Sequence, residues 1–238
     1  MKNLLLPLLL VSLVMVQTGC RKVLNNDGPR VTELREIDEN YEEIHLEGSI
    51  DLIVNQTEDY ELKIEAGQRL MPYIKTRVFE DRLEIYEEPN NFHHEEPIRV
   101  FVSKEYLDDI YLLGSGDIDA SGIIAGNSNI EVDGSGDIDI EYAAVETVTL
   151  KIDGSGDARF TGAAQQITVN IDGSGDVDAR YLETNACYVN VDGSGNTRVT
   201  VFEYLNVDID GSGDVRYWGN PADVDASITG SGDLIDME

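Results

Sequence analysis

Carboxylates recur at fixed positions on both sides of a repeated tetrapeptide, Gly-Ser-Gly-Asp. The tetrapeptide occurs seven times, and the copy at residues 193–196 carries Asn196 in place of the aspartate. Five copies have a further aspartate directly before the first glycine. If the copies stack, one edge of the protein carries two columns of carboxylates: Asp133, Asp153, Asp172, Asp192 and Asp210 before the glycines, and Asp117, Asp137, Asp157, Asp176, Asp214 and Asp233 after them.

Stacked carboxylates need some form of compensation. Like charges ~5 Å apart repel by about 0.8 kcal/mol in water, and by about 3 kcal/mol at an effective dielectric constant of about 20. Solvation and hydrogen bonds to nearby backbone N–H groups, as in Asx-turns, would relieve this repulsion. Carboxylate oxygens are also suitable ligands for Ca²⁺. We favour a turn-forming role for these aspartates, with Ca²⁺ binding and contact with a cationic partner as the alternatives.

The positions two residues after each of the first six tetrapeptides mix charges of opposite sign. They are Asp119, Asp139, Arg159, Asp178, Arg198 and Arg216. Stacking would place Arg159 between two carboxylates, and it would also place Glu131 beside Lys151 on the next copy. Exposed cross-strand pairs of this kind contribute at most about 1 kcal/mol each. We therefore expect the protein to distribute its charge through pairs on neighbouring strands.

The spacing of the tetrapeptide predicts the elements that position these side chains. Successive copies begin 20, 20, 19, 20, 18 and 19 residues apart, a nearly constant period that is typical of a repeat architecture. The residues on both sides of each copy alternate between apolar and polar, as expected for strands with one buried face. One such unit cannot cover its own apolar face, whereas stacked units cover one another.

We therefore predict an all-β fold, a right-handed parallel β-helix or β-solenoid with about seven GSGD-marked rungs and a less regular β N-terminal part. The alternative is a β-sandwich of hairpins, which would not place the same tetrapeptide in the same phase in every copy. Glycine suits the corners because it adopts a positive φ without steric cost. In this register Cys187 lies level with Ile167 and Leu205, so we interpret it as a small buried hydrophobic residue.

Residues 37–110 lack the full tetrapeptide but contain further strand signals. Gly48-Ser49-Ile50-Asp51 is a degenerate form of the motif. We expect this region to form less regular strands that begin the solenoid and cap one end, while residues 111–238 form the repeat itself. At the other end, acidic side chains could protect the strand edge by charge, or a second copy of the chain could cover it.

The N-terminal residues resemble an export signal. Residues 4–16 form an apolar run of the size of a signal h-region, too short to span a bilayer comfortably. The run leads to Thr18-Gly19-Cys20, which resembles a bacterial lipobox, although Gln17 stands where an aliphatic residue is usual. We predict a lipoprotein signal peptide over residues 1–19, lipidation of Cys20, and a polar tether over residues 20–36. The alternative is an ordinary secretory signal followed by an unmodified cysteine.

The charge balance excludes several classes of function. The 238 residues include 47 acidic and 17 basic side chains, and the formal net charge is −30. Nucleic-acid binding is excluded because the chain has few cations to neutralise phosphates. Electrostatic docking on anionic lipid is disfavoured for the same reason. With 41% hydrophobic residues the chain has enough material for a core, and its two cysteines exclude a disulfide scaffold.

Three segments of the N-terminal half carry a family resemblance: IHLEGSIDLIVNQ, YELKIEAGQRLMPYIKTRVFEDRLEIY and IRVFVSKEYLDDIYLLGSGDI. Together with the serial GSGD rungs, they resemble the putative auto-transporter adhesin, head GIN domain family over about residues 37–235. The resemblance implies a β-solenoid, typically on exported or lipid-anchored bacterial proteins. It brings no catalytic residues to this sequence.

The sequence contains no recognised catalytic motif. His45 occupies a polar strand position, while His93 and His94 lie in a segment rich in Pro and Asn beside two glutamates. These imidazoles could bind a transition metal, but adjacent side chains diverge and no HExxH spacing occurs, so we assign no metal site. The serine of each tetrapeptide has no repeated histidine beside it to act as its base.

We therefore expect a non-catalytic, lipid-anchored protein of the bacterial cell envelope, with the outer membrane as its expected location and no resident cofactor. It would act as an adhesin or binding scaffold that displays a repetitive acidic surface. Its expected partners are the membrane, through the lipid, and a protein or glycan ligand at the cell surface, and it could form a homo-oligomer. The alternatives are a Ca²⁺-stabilised surface module and a carbohydrate-active enzyme of the polysaccharide lyase or hydrolase type, in which Arg198 and Arg216 would face the sugar.

Overall fold

A computed structural model of the chain describes residues 27–38, 40–55, 62–88, 94–104 and 106–238. The predicted signal peptide, Cys20 and His93 lie outside these residues. Most of the described chain is β-structure, with one 3₁₀ turn at Met71–Tyr73 among these residues. The described part of the chain includes no apolar helix of membrane-spanning length.

Short strands precede the regular repeat. They are β1 (Arg30–Arg35), β2 (Glu43–Gly48), β3 (Ile50–Asn55), β4 (Leu62–Gly67), β5 (Ile74–Phe79), β6 (Arg82–Glu87), β7 (Ile98–Ser103) and β8 (Asp109–Gly114). The repeat continues with β9 (Ile118–Gly134), β10 (Ile138–Gly154), β11 (Ala158–Gly173), β12 (Val177–Gly193), β13 (Thr197–Gly211), β14 (Val215–Trp218), β15 (Asp223–Gly230) and β16 (Leu234–Asp236). Each long strand from β9 to β13 runs from one GSGD corner to the next.

Successive coils pair in parallel and in register. Each strand from β8 to β12 pairs with the next one along the chain, and β13 pairs with both β14 and β15. The corner glycines match from coil to coil, so that Gly154 pairs with Gly134 on one side and with Gly173 on the other. The sequence-based prediction of a β-solenoid is confirmed, and the structure has about six turns.

The core consists of columns of apolar side chains that point into the solenoid. Leu150, Val169 and Val189 occupy one such column, and each is fully buried. Cys187 is also fully buried, between Ile167 and Leu205, as predicted. Burial of each large apolar side chain contributes about 1.5–3 kcal/mol, and neighbouring coils provide that burial for one another.

Both glycines of each corner are required because successive coils lie very close together. At Gly173 φ is +138°, and a Cβ atom there would lie 2.3 Å from the carbonyl oxygen of Gly154. At the second glycine of the same corner, Gly175, φ is outside the left-handed region, but a Cβ atom would lie 2.1 Å from the carbonyl oxygen of Gly156. The positive φ predicted from the sequence and lack of space together explain the first glycine, and lack of space alone explains the second.

The N-terminal region belongs to the same stack. Gly48 pairs with Gly114, so the degenerate tetrapeptide at residues 48–51 forms the first corner. β4 and β5 run antiparallel to β7 and β6, and β1 pairs with β4. β1 lies inside residues 20–36, the range predicted as a tether. The folded part begins earlier than the sequence suggested, because the backbone of β1 pairs along its whole length and Val31 packs against the core.

Arg35 joins the two edge strands at the N-terminal end. Its guanidinium group donates hydrogen bonds to the carbonyl oxygen of Ile74 at 2.9 Å and to the hydroxyl of Thr76 at 3.1 Å. It also forms an ion pair with Glu33 at 2.7 Å. The two hydrogen bonds cross from β1 to β5 and connect these edge strands.

The opposite end is open in the described structure. Every residue of β15 is exposed, including Val224 and Ile228, whose exposed fractions are 38% and 42%. These two side chains continue the columns of Leu205 and Ile209, which are both fully buried. The columns are buried wherever another coil lies on them, and among the described residues β15 pairs only with β13.

Candidate functional site

The aspartates that follow the glycines form a hydrogen-bonded ladder between coils. Oδ1 of Asp137 accepts the backbone N–H of Asp157 at 2.8 Å, and Oδ1 of Asp157 accepts that of Asp176 at 2.8 Å. The same type of bond links Asp117 to the N–H of Asp137 at 3.0 Å. Each of these bonds ties one coil to the next, whereas the sequence suggested local turn bonds within a coil.

Asn196, which replaces the aspartate in one copy, preserves this ladder. Its backbone N–H and its side-chain amide both donate to Oδ1 of Asp176, at 2.7 and 3.0 Å. Its own Oδ1 accepts the backbone N–H of Asp214 at 3.2 Å. An amide can therefore replace a carboxylate in the ladder, because the bond requires an acceptor oxygen and not a negative charge.

The aspartates that precede the glycines lie on the other side of the corner. Asp133, Asp153, Asp172, Asp192 and Asp210 occupy paired positions on successive strands. Lys151 binds Asp153 and Glu131, both at 2.8 Å, which confirms the predicted contact between Glu131 and Lys151. The last four aspartates of the column line a shallow depression of about 400 Å³ together with Asn170 and Asn190.

The mixed-charge positions form ion pairs between coils, as predicted. Arg159 faces Asp139 of the preceding coil at 3.9 Å, and Asp178 takes the paired position on the following coil. Arg198 likewise faces Asp178 at 3.9 Å. Arg216 instead binds Asp214 of its own coil at 2.9 Å. Most of these pairs are well exposed, so each contributes no more than about 1 kcal/mol to stability.

A groove of about 530 Å³ runs beside the ladder, across β3, β7 and the strands from β9 to β13. Its charged lining comprises eight carboxylates and three guanidinium groups: Asp51, Arg99, Asp117, Asp119, Asp137, Asp139, Asp157, Arg159, Asp176, Asp178 and Arg198. We call this feature the charged groove. It brings together four of the ladder aspartates predicted as contacts, whereas Asp214 and Asp233 are not among its lining residues.

The described histidines occupy separate environments. The ring of His45 lies 4.2 Å from that of Tyr111, and desolvation lowers the pKa of His45. Nδ1 of His94 is 2.8 Å from the carbonyl oxygen of Glu96. Among the described residues, no group of three or more His, Cys, Asp or Glu side chains is arranged to hold a metal ion.

Glu87 completes the first corner, a role that the sequence did not reveal. The side chain is buried, and its Oε1 accepts the backbone N–H of Ser49 at 3.4 Å. In the next coil the equivalent N–H, that of Ser115, donates to the carbonyl oxygen of Gly48 at 2.9 Å. A carboxylate therefore takes the place of the carbonyl group that a preceding coil would supply. Desolvation raises the pKa of Glu87.

Two aromatic side chains lie beside Arg180, near the register shift between Ala179 and Glu183 of β12, another feature that the sequence did not reveal. The guanidinium carbon of Arg180 lies 4.5 Å from the ring centroid of Trp218 and 5.5 Å from that of Tyr181. Tyr181 is 58% exposed. Trp218 lies far from Arg180 and Tyr181 in the sequence, and only the stacking of coils brings it beside them.

The fold and its surface define a class of protein: a parallel β-solenoid whose corners carry hydrogen-bonded and charge-paired columns beside an open groove. The sequence profile described as "Putative auto-transporter adhesin, head GIN domain" matches residues 40–221. The chain therefore belongs to this family, which confirms the resemblance seen in the sequence. No curated protein shows significant similarity to the chain.

Several solved structures share the fold. A putative adhesin from Bacteroides fragilis is similar with a TM-score of 0.81 and 20% identity, over 88% of this chain and 97% of that chain. A putative lipid binding protein from Parabacteroides distasonis gives a TM-score of 0.69 and 22% identity, over 90% and 98%. A putative adhesin from the same species gives 0.67 and 24%, over 89% and 98%. At 20–24% sequence identity, these comparisons show a shared fold and nothing about function.

Proposed function

We propose that the chain is a non-catalytic, lipid-anchored protein of the bacterial cell envelope that acts as an adhesin-like binding scaffold. The family match and the fold shared with proteins named as putative adhesins support this role. The observation that carries the proposal is the charged groove, in which one pattern of side chains recurs from coil to coil.

The charged groove suits an extended ligand with many hydroxyl groups, such as a cell-surface glycan. Its carboxylates recur at the spacing of paired strands, about 4.8 Å, and can accept hydrogen bonds along the length of a chain. Arg99, Arg159 and Arg198 are distributed along the groove and donate hydrogen bonds. An arginine stays protonated and does not act as a general base, so these three side chains are suited to recognition.

A lipid on Cys20 would hold the scaffold at the membrane. The support is the lipobox-like sequence Thr18-Gly19-Cys20 after an apolar run. Membrane fractionation of expressing cells, with mass analysis of the mature N-terminus, tests this part of the proposal. We expect the native chain in the membrane fraction with an acylated cysteine, and Cys20→Ser in the soluble fraction. Recovery of the native chain as an unmodified soluble protein would contradict it.

Retention on a mucin-coated surface tests the binding role. Beads that carry the native protein should be retained, and the double variant Arg159→Glu/Arg198→Glu should bind about tenfold more weakly, a loss of about 1.4 kcal/mol. Arg216→Glu is the matched control, since Arg216 lies in the same column but outside the groove lining. Equal retention of the double variant and the native protein, or release of glycan fragments by the native protein, would overturn the proposal.

A further inference from the structure

We propose that Arg180, Tyr181 and Trp218 form a binding site for a carboxylated sugar residue, such as a uronic or sialic acid, beside the charged groove. We call these three side chains the arginine–aromatic site. The inference rests on the proposed function, because it takes the groove to hold a glycan chain. It adds the chemical class of one residue of that glycan and the side chains that recognise it.

The arginine–aromatic site adjoins the charged groove along the strands. Asp178 and Arg198 line the groove and occupy paired positions on β12 and β13. Arg180 follows Asp178 by two residues, with the buried Ala179 between them, so the exposed side chain of Arg180 points outward on the same side as that of Asp178. Two residues of a strand cover about 7 Å, so a glycan bound at Asp178 can extend to Arg180.

The guanidinium group of Arg180 is available for a ligand. Within residues 106–238, all of which the structure describes, it is the one basic group that forms no ion pair with a described carboxylate. The other four are bound to Asp or Glu: Lys151, Arg159, Arg198 and Arg216. The nearby carboxylate of Asp178 accepts the backbone N–H of Arg180 at 3.2 Å with one oxygen and faces Arg198 with the other.

Two aromatic rings hold this guanidinium group in place. Its central carbon lies over the rings of Trp218 and Tyr181, at 4.5 and 5.5 Å from their centroids, within the range of cation–π contacts. Thr200 lies between Arg180 and Trp218, because its hydroxyl donates to the carbonyl oxygen of Arg180 at 2.7 Å and its backbone pairs with Trp218. A side chain restrained in this way loses less conformational entropy when it binds a ligand.

The chemistry of the site matches a carboxylated sugar. A planar guanidinium group forms two parallel hydrogen bonds with a carboxylate. The ring of Tyr181, which is 58% exposed, offers an apolar face to the C–H groups of a sugar ring. The formal net charge of −30 disfavours a polyanionic ligand, so the site suits a single acidic residue in an otherwise neutral glycan.

Two matched pairs of probes test the inference. Sialyllactose is compared with lactose, and xylotriose with a glucuronic acid branch is compared with plain xylotriose. Each probe is coupled to albumin, and binding of the full chain in detergent is measured by surface plasmon resonance at about 0.15 M salt, where long-range charge effects are screened. At least one acidic probe should bind the native chain about tenfold more tightly than its neutral partner, a gain of about 1.4 kcal/mol.

Substitutions assign this preference to the site. Arg180→Gln should abolish it, and Arg180→Lys should restore only part of it because an ammonium group lacks the planar fork. Trp218→Ala should weaken it, because the guanidinium group loses the nearer of its two rings. Arg216→Gln is the matched control, since it also removes one charge but from a group that already binds Asp214, and it should keep the preference. Circular dichroism verifies that each variant is folded.

Equal binding of the acidic and neutral members of both pairs would overturn the inference, and so would a preference that survives Arg180→Gln. Retention on mucin separates this result from failure of the proposed function. A native chain that mucin retains through Arg159 and Arg198, but that shows no preference for acidic probes, contradicts only the arginine–aromatic site. A native chain that neither mucin nor any of the probes retains contradicts both proposals.

Discussion

The ladder residue contributes an acceptor atom to the next coil, and its charge is incidental to that bond. Asp157 receives the backbone N–H of Asp176 on one Oδ1 atom, and Asn196 performs the same task for Asp214 with an amide oxygen. A hydrogen bond between a side chain and a buried or partly buried backbone group contributes about 1 kcal/mol net. The negative charges that accompany these bonds repel one another along the column.

Two substitutions of Asp157 distinguish the contribution of its hydrogen bond to stability from that of its negative charge. Asp157→Asn keeps the acceptor oxygen and removes one like charge, so we expect an unfolding free energy equal to or above that of the native chain. Asp157→Ala leaves the N–H of Asp176 without its acceptor and should destabilise by about 1 kcal/mol. Urea denaturation of both variants provides the comparison. Equal stability of the two variants would show that the ladder bond contributes nothing.

Thr197 is a polar residue in an apolar column. It is fully buried between Val177 and Val215, and its hydroxyl has no hydrogen-bond partner. Because burial of an unpaired hydroxyl is unfavourable, Thr197→Val should raise the unfolding free energy by about 1 kcal/mol. Thr184→Val is the control, since that buried hydroxyl donates to the carbonyl oxygen of Thr200 at 2.8 Å and its loss should destabilise. A loss of stability in Thr197→Val, measured by thermal unfolding, would refute this reasoning.

At the scale of elements, the residues allowed at each corner depend on how closely that corner approaches the corner of the preceding coil. We expect Gly175→Ala to destabilise by about 3 kcal/mol or to prevent folding, because its Cβ would lie 2.1 Å from the carbonyl oxygen of Gly156. Gly126→Ala is the matched control, as nothing lies within 4 Å of a Cβ at that position. If thermal unfolding gave the two variants the same midpoint, the tight stacking of corners would be incorrect.

The first corner has a pH-dependent component through Glu87. Desolvation raises the pKa of this buried carboxyl, so the folded state holds the proton more tightly than the unfolded state does. The stabilising contribution of Glu87 is therefore present in full below the unfolded pKa, near 4.5, and it is lost as pH rises through the higher folded value.

Glu87→Gln should remove this dependence while retaining an acceptor for the N–H of Ser49. The variant should be more stable than the native chain at about pH 8, and the difference should shrink as pH falls to about 5. Urea denaturation at the two pH values measures the unfolding free energy of each protein. Subtracting the native value from that of the variant cancels the titration of the other carboxylates, which both proteins share. A variant that is less stable at the higher pH would indicate that the charge of Glu87 is favourable.

The period of the tetrapeptide was sufficient to predict the solenoid, the inward columns and the position of Cys187. These features follow from the alternation of apolar and polar residues and from the constant spacing of the tetrapeptide, both of which can be seen in the sequence. The bond from Asp157 to the next coil, the contact that excludes a side chain at Gly175, and the role of Glu87 could not be predicted in the same way. Each depends on how close two coils come, and that distance is a property of the assembled stack.

At the scale of the whole molecule, the stack turns a local motif into long, regular surfaces. The charged groove exists because residues about 20 positions apart come to lie on adjacent strands. The same stacking leaves the apolar side chains Val224 and Ile228 exposed on β15. The proposed glycan binding therefore depends on coils that are parallel and in register.

Disulfide cross-linking of corner serines tests this stacking most directly. With Cys20 replaced by serine, Ser135→Cys/Ser155→Cys should form a disulfide, because their corners stack directly, with Gly134 paired to Gly154, and stacked coils lie about 5 Å apart, within the bonding range. Ser135→Cys/Ser174→Cys should stay reduced, since those corners are two coils and about 10 Å apart. Cross-linking of the second pair without the first would contradict the in-register stack and the surfaces that depend on it.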